Sequence, residues 1–174
     1  MKLTKTGKYH ISKTEIKELL NNNYKQDFFK PRGFWYSIGS SWLDWKLSEE
    51  FNNKGIDKKG KEYYINKSLS MYKVKFYNKK YTTLPDDEKV LLIDTYAKLI
   101  KFNKKYLRKK NKIEYIDWNN VSSDYAGIEF RNFNKIQKQL VDKKIENIWH
   151  YTLDVDSGCI WRPSKVIKHI DKMT

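Results

Sequence analysis

Strand-like alternation places several polar or indole side chains away from the apolar faces of short strands: His10, Ser12, Trp35, Ser37, Glu129 and Asp154. Side chains of these types make hydrogen bonds or stack on flat groups, so together they suit a polar, planar ligand. Trp35 is the most informative, because a tryptophan on the polar side of a strand requires either a covering helix or a flat ligand. These residues are far apart in the chain, so the hypothesis requires the fold to bring them around one hollow.

Other kinds of chemistry are disfavoured by the sequence. It contains no Walker loop, no GxGxxG motif and no kinase motif set. Metal-ligand spacing is absent among the three histidines and the single cysteine, which argues against a zinc enzyme. Residues 154–156 (DVD) form only part of a calcium loop, and a turn is the favoured interpretation. Cys159 has no histidine with a defined role nearby, so we interpret it as a small buried hydrophobe rather than a nucleophile.

Hydrophobic periodicity predicts the elements that must position these residues. In the first part of the chain it predicts strand 8–12, helix 14–20, strand 34–38, helix 41–51, surface loop 54–67, strand 68–77 and helix 85–108. In the second part it predicts strand 113–118, a tight connection at 119–124, strand 125–130, helix 134–144, strand 148–155, a turn at 156–158 and a helix near Ser164. Within strand 125–130, Ile128 and Phe130 are expected to face the core and Glu129 to point away from it.

The length and composition predict a single compact α+β domain over residues 1–174. The chain is 39% hydrophobic, enough to bury one core of this size, and no linker or internal repeat divides it. With one cysteine it has no intramolecular disulfide. No apolar run approaches the roughly 20 residues needed to cross a bilayer, and no apolar stretch follows the basic N-terminal residues. We therefore expect an intracellular, cytoplasmic protein without a membrane partner.

Three short motifs resemble the layout of the ADP-ribosyltransferase superfamily: YHIS (9–12), GFWYS (33–37) and GIEF (127–130). The resemblance implies a short, strongly bent or split sheet with flanking helices that grips NAD in a cleft. It implies that Glu129 is catalytic and stabilises the oxocarbenium-like transition state as nicotinamide leaves. The side chains that would hold NAD are His10, Ser12, Trp35, Tyr36, Ser37 and Trp42.

The resemblance leaves some assignments open. Trp35 and Tyr36 compete for the position that stacks on nicotinamide, and Glu114 competes with Glu129 for the catalytic role. No acidic residue lies two positions before Glu129, so the arginine-modifying version of the motif is incomplete.

The net charge of +15, from 36 basic and 21 acidic residues, bears on the partner. A surplus of this size attracts nucleic acid or an acidic protein, either of which would serve as the acceptor of a transferase. AT-rich codon usage explains the high lysine content about as well.

Two alternatives to the enzyme follow. One is a non-catalytic RNA- or DNA-binding module that uses aromatic stacking and lysines. The other is a viral or mobile-element protein that binds a host factor, in the host cytoplasm if viral.

Overall fold

A computed structural model describes residues 3–12, 14–19, 21, 26, 30–42, 55–56, 62–63, 70–145, 149–150 and 153–173 of the 174-residue chain. Its strands are β1 Lys8–Ser12, β2 Phe34–Ile38, β3 Gly55–Ile56, β4 Glu62–Tyr63, β5 Ser70–Phe76, β6 Val90–Ile93, β7 Leu107–Lys110, β8 Ile113–Ile116, β9 Gly127–Phe130, β10 Ser157–Ile160 and β11 Ile167–Met173. Its helices are α1 Tyr96–Tyr106, α2 Trp118–Asp124, α3 Phe133–Asp142 and α4 Pro163–Val166.

A seven-stranded mixed sheet in the order β11-β5-β1-β2-β10-β9-β6 organises the fold. Neighbouring strands are antiparallel except β6 and β9, which are parallel. Parallel strands need a long crossover connection, and here it contains α1, β7, β8 and α2. The strands β3 and β4 form one separate pair, and β7 and β8 form another. This mixture of helices with a mostly antiparallel sheet confirms the predicted α+β class.

Both faces of the sheet carry apolar cores. The core under α1, α2 and α3 includes Ile128 and Phe130 of β9 and the tryptophans Trp118 and Trp149. The core on the opposite face includes Tyr36, Val74, Val90 and Ile160, and it packs against α4 through Val166. Every residue of β9 and β10 is buried as a result. Central strands covered on both faces read as continuous buried segments rather than alternating ones.

The predicted helix 85–108 is correct only in its second part. Residues Val90–Ile93 form strand β6, and α1 begins after Thr95, whose side chain accepts a hydrogen bond from the Lys98 amide. The apolar residues before Thr95 have spacing that also fits a helix. Four consecutive apolar residues form a buried strand equally well, and pairing with β9 decides between them.

Residues 14–19 are not helical, although the sequence predicts a helix there. Side chains satisfy the backbone instead: the amide of Thr14 donates to Ser12 Oγ at 3.2 Å, and the amide of Ile16 donates to Tyr72 Oη at 3.0 Å. Such local and tertiary bonds compete with the helical ladder.

Residues 119–124 belong to helix α2 rather than to a tight connection. The Asp117 carboxylate accepts the Asn120 amide at 3.2 Å and caps the helix at its N-terminus. Asp117, predicted to lie in strand 113–118, is therefore the N-cap of a helix.

The strand predicted at 148–155 is wrong over its described residues: 149–150 form a short 3₁₀ segment and 153–155 are irregular. The segment Ser157–Ile160, predicted to begin with a turn, is instead the interior strand β10. The short helix α4 confirms the helix near Ser164, while β11, the strand after it, was not predicted.

The remaining predictions have mixed outcomes. Strands 8–12, 34–38, 68–77, 113–118 and 125–130 and helix 134–144 are confirmed with small changes of boundary. Of helix 41–51 only residues 41–42 are described, and they are helical; the rest lies outside the described residues. Within the predicted loop 54–67, the two described segments, β3 and β4, pair as antiparallel strands.

Candidate functional site

One row across the sheet contains three of the predicted site residues. Gly158 of β10 pairs with Tyr36 on one side and with Glu129 on the other, and the register of β1 on β2 places His10 beside Tyr36. Side chains opposite one another in paired strands lie on the same face, so His10, Tyr36 and Glu129 share a face. Strands are spaced about 4.8 Å apart, so three intervals separate β1 from β9 by roughly 14 Å.

Trp35 and Ser37 lie on the opposite face, under the helices. The prediction that they share a non-core face with His10 and Glu129 is therefore wrong. Trp35 packs against the helix-covered core, and its Nε1 donates to the Pro31 carbonyl at 3.0 Å. Ser37 is buried and donates to the Tyr9 carbonyl at 3.2 Å. The covering layer of helices, rather than a flat ligand, accounts for the position of the Trp35 indole.

Glu129 has no exposed surface, so the prediction that it points away from the core is wrong. Its carboxylate accepts hydrogen bonds from three residues. Tyr36 Oη donates to Oε2 at 2.5 Å, Tyr81 Oη donates to Oε1 at 2.9 Å, and Arg131 Nε donates to Oε1 at 2.5 Å. Arg131 Nη2 also donates to Tyr81 Oη at 2.5 Å. The charge of Glu129 is thus paired and hydrogen-bonded, as a buried carboxylate requires.

The electrostatics of this cluster keep its tyrosines protonated. Burial, followed by the charge of Glu129, raises the pKa of Tyr36 and the pKa of Tyr81. For Arg131 burial acts to lower the pKa, but the charge of Glu129, its hydrogen bond and the two tyrosines together outweigh burial, and the pKa is raised. Burial lowers the pKa of Lys8, whose Nζ lies 4.6 Å from the centre of the Tyr81 ring. The hydroxyl groups therefore act as hydrogen-bond donors at neutral pH.

The residues around Glu129 do not fit NAD in this arrangement. Glu129 and Tyr36 are both 0% exposed, so no ligand can contact the carboxylate or the tyrosine ring. We therefore derive no reaction step through NAD from this geometry. The cluster acts as an internal polar network that links β2, β9 and the segment before β6.

His10 lies in a separate, half-buried aromatic environment. Its ring stacks on Phe34, with 4.6 Å between centroids, and lies 6.2 Å from the Trp42 ring and 6.5 Å from the Tyr72 ring. Its Nδ1 is 2.6 Å from the Trp35 carbonyl oxygen. Burial lowers the pKa of His10 and outweighs that hydrogen bond, which acts to raise it. The structure thus brings together His10 and Trp42, but not His10 and the Glu129 carboxylate.

Ser12, at the end of β1, makes only local bonds among the described residues. Its hydroxyl accepts the amide of Thr14 and contacts the Thr14 hydroxyl at 3.5 Å. It therefore helps the chain leave the strand.

A second candidate site is the basic arm, which we define as residues 101–113. Seven of these thirteen residues are basic and none is acidic. The arm begins on α1, where Lys101, Lys104 and Lys105 are spaced to lie on one side of the helix, and continues into the β7–β8 hairpin. It concentrates nearly half of the net charge of the chain in one segment.

The hairpin projects from the body of the protein. Leu107 and Ile116 pair at its base, where Ile116 is buried, and residues 108–113 are all exposed. Among the described residues, β7 and β8 pair only with each other. A two-residue turn, Asn111 and Lys112, joins them with φ values of 50° and 66°. Positive φ at both turn positions is the signature of the type I′ turn.

Two of the seven cations of the arm have partners within the protein. Lys105 Nζ is 2.8 Å from Asp124 Oδ2. The Arg108 guanidinium donates to the carbonyls of Lys105 and Leu107 at 2.9 and 3.0 Å, at the end of α1. The other five make no ion pair with a carboxylate of the described residues: Lys101, Lys104, Lys109, Lys110 and Lys112.

A cavity of about 710 Å³ lies beside the Gly39 turn and the start of α3. Its polar groups are already used. The Asp156 carboxylate accepts the amides of Asn132 and Phe133 at 3.0 and 2.9 Å, and the Ser41 hydroxyl donates to the Asp156 carbonyl at 2.8 Å. These bonds hold the end of β2 to the start of α3.

Sequence reasoning missed Tyr81, Arg131 and Lys8 as partners of Glu129. A signal existed for Arg131, which directly follows β9: in extended chain, side chains two positions apart point to the same side. No pattern indicated Tyr81 or Lys8, which come from distant segments. The basic end of the long helix was noticed, but the hairpin beyond it was not, because its turn contains no glycine.

The described part of the chain contains no cluster of histidine, cysteine and acidic side chains suited to a metal ion. Nor is any described helix both long and apolar enough to span a bilayer.

No protein-family model matches this sequence, and neither the curated proteins nor the solved structures include a significant match to it.

Proposed function

We propose that this protein binds nucleic acid through the basic arm. The observation that carries the proposal is the set of five lysines of the arm that lack a carboxylate partner among the described residues. Three of these exposed lysines lie on the projecting hairpin and two on α1. All five are open to phosphate groups, and each contact releases counterions from the nucleic acid. The concentration of charge in one segment distinguishes this surface from a lysine-rich exterior in general.

The conformation of Lys112 supports a role for charge at the tip. Its φ of 66° lies in the left-handed region, where glycine is favoured and a side chain costs roughly 1 kcal/mol. Strain of this kind motivates a functional hypothesis for the residue that carries it.

Salt dependence of binding tests the proposal. Five phosphate contacts predict that the logarithm of the affinity for a DNA duplex of about 20 base pairs falls with the logarithm of salt concentration with a slope of roughly −4.5. Fluorescence anisotropy at several salt concentrations measures this slope. Undetectable binding, or affinity that does not change with salt, would contradict the proposal.

A matched pair of variants tests the location. One changes four lysines of the arm to glutamine: Lys101, Lys104, Lys109 and Lys110. The other makes the same change on or just after α3, at four lysines that are also exposed: Lys135, Lys138, Lys143 and Lys144. Both remove the same charge. We expect the arm variant to lose most of the affinity and the α3 variant to lose little, whereas equal losses would indicate diffuse attraction.

An NAD-dependent ADP-ribosyltransferase is a second candidate, favoured by one observation. His10, Tyr36 and Glu129, which the resemblance to that superfamily assigns to the NAD site, share one row and one face of the sheet. The complete burial of the Glu129 carboxylate counts against this activity. Nicotinamide release from NAD, compared between the wild type and His10→Ala, tests this activity without disturbing the buried network. Release that depends on His10 would support the enzyme, and no release with nucleic acid or acidic proteins as acceptors would exclude it.

A further inference from the structure

The basic arm has a shape as well as a charge. Leu107–Lys110 and Ile113–Ile116 form a two-stranded antiparallel ribbon, and four residues of strand extend about 13 Å. The major groove of B-form DNA is about 12 Å wide and about 8.5 Å deep, and it admits a two-stranded ribbon. The arm is therefore narrow enough to enter this groove and long enough to reach the base edges.

One face of the β7–β8 ribbon combines charge with apolar surface. The register pairs Arg108 with Tyr115 and Lys110 with Ile113, so these four side chains lie on the same side of the ribbon. Ile113 is 54% exposed, which is high for an isoleucine. An isoleucine adds nothing to phosphate binding, but an apolar side chain suits the methyl group of thymine in the major groove.

The lysines at the base of the arm fit the rim of such a groove. Lys101 and Lys104 lie on α1, outside the ribbon, and are exposed. Cations placed beside a groove-inserted element contact the phosphate backbone and fix its position. Charge at the base thus matches the phosphate backbone of a duplex, and apolar surface near the tip matches its base edges.

We propose that the β7–β8 ribbon enters the major groove of double-stranded B-form DNA, with Ile113 against base edges and Lys101 and Lys104 on the flanking phosphates. This inference rests on the proposed nucleic-acid binding and names its substrate. A-form RNA duplexes have a deep, narrow major groove that side chains cannot read, and single strands have no groove. The geometry therefore selects duplex DNA among nucleic acids.

Binding to three matched nucleic acids tests the inference. The full chain is titrated into a DNA duplex of about 20 base pairs, an RNA duplex of the same sequence and the single DNA strand, at one salt concentration. We expect the DNA duplex to bind at least about tenfold more tightly than either of the others. Equal or tighter binding of the RNA duplex or the single strand would overturn groove entry and leave the proposed function standing. Absence of binding to all three would overturn both.

A second variant separates base contact from charge. Ile113→Thr keeps a β-branched residue on the strand and removes apolar surface; Val141→Thr makes the same change at a residue of α3 that is 68% exposed. We expect Ile113→Thr to weaken binding to an A·T-rich DNA duplex roughly threefold or more without changing the salt slope, and Val141→Thr to have no effect. Unchanged affinity in Ile113→Thr would overturn the contact with base edges.

Discussion

Gly158 of β10 leaves the space through which the ring of Tyr36 reaches Glu129. A Cβ atom added to Gly158 would lie far closer to Cζ and to Oη of Tyr36 than van der Waals contact allows. Because Gly158 stands between the two residues in the sheet, its missing side chain lets the tyrosine cross the intervening strand. The hydrogen bond from Tyr36 to the Glu129 carboxylate depends on this absence.

We predict that Gly158→Ala destabilises the protein by about 2–3 kcal/mol, because the methyl group overpacks the core and displaces a buried hydrogen bond. The midpoint of urea unfolding measures the effect. Gly158→Ala combined with Tyr36→Ala should cost less than the sum of the two single changes, since the second removes the clash. Strict additivity would show that the ring and the glycine are not coupled.

Glu129→Gln should lower the free energy of unfolding by about 2–3 kcal/mol. The change keeps the shape of the side chain but leaves Arg131 and two tyrosine hydroxyls with a weaker acceptor. Because the side chain of Arg131 is 37% exposed, water offsets part of the loss. Glu88→Gln, at an exposed position, is the control and should change stability by less than about 0.5 kcal/mol. Equal effects of the two substitutions would refute a structural role for the network.

Stability should fall as pH decreases below the ordinary histidine pKa of 6.5. Burial lowers the pKa of both His10 and His150 in the folded protein, so the unfolded chain binds protons first. Their contribution is complete above pH 6.5 and is lost as pH falls toward the folded-state values. Urea unfolding at several pH values measures the slope. His150→Gln should reduce that slope even if it lowers stability at every pH, and an unchanged slope would argue against this assignment.

Lys112→Gly should have opposite effects on stability and on binding. Glycine adopts the left-handed backbone conformation of this turn position without the strain that a lysine side chain causes. The change should therefore stabilise the fold by about 0.5–1 kcal/mol. It also removes one cation from the arm, so the magnitude of the salt slope should fall by about 1.

Lys144→Gly is the matched control for that experiment. Lys144 has a φ of 52° just after α3, where the amides of Lys144 and Ile145 bond back to the helix end. Its replacement should bring a similar gain in stability with no change in DNA affinity. If both variants weakened binding alike, the tip of the arm would have no special role.

The sequence predicts the strands that alternate and the helices that carry a clear stripe, but not the elements decided by tertiary pairing. β1 is correct because polar and apolar residues alternate along KYHIS, and β2 because the aromatic and β-branched residues of FWYSI favour strands. β6 and β10 were missed because a short apolar run and an SGCI segment carry no period of their own. Their strand conformation follows from pairing with β9.

The candidate site was predicted only in part, because tertiary packing also decides which faces of the strands are buried. The alternation of side chains along a strand correctly places Trp35 and Tyr36 on opposite faces of the sheet. It does not show which of the two faces the helices cover. The assignment of Trp35 to the polar side therefore failed. Glu129 was expected to face outward because its neighbours Ile128 and Phe130 face a core. The existence of a second core on the other face depends on β5, β11 and α4, whose packing no local pattern reveals.

The β7–β8 hairpin belongs to the crossover between β6 and β9, yet its two ends meet. The amide of Asp117 donates to the carbonyl of Tyr106 at 3.0 Å, directly across the base of the hairpin. The ribbon is therefore a projection whose base is closed by a backbone hydrogen bond, and the fold of the sheet and helices does not depend on the length or composition of the ribbon. Evolution, or a protein engineer, could shorten it, extend it or exchange it for another loop while the sheet and its helices keep their architecture.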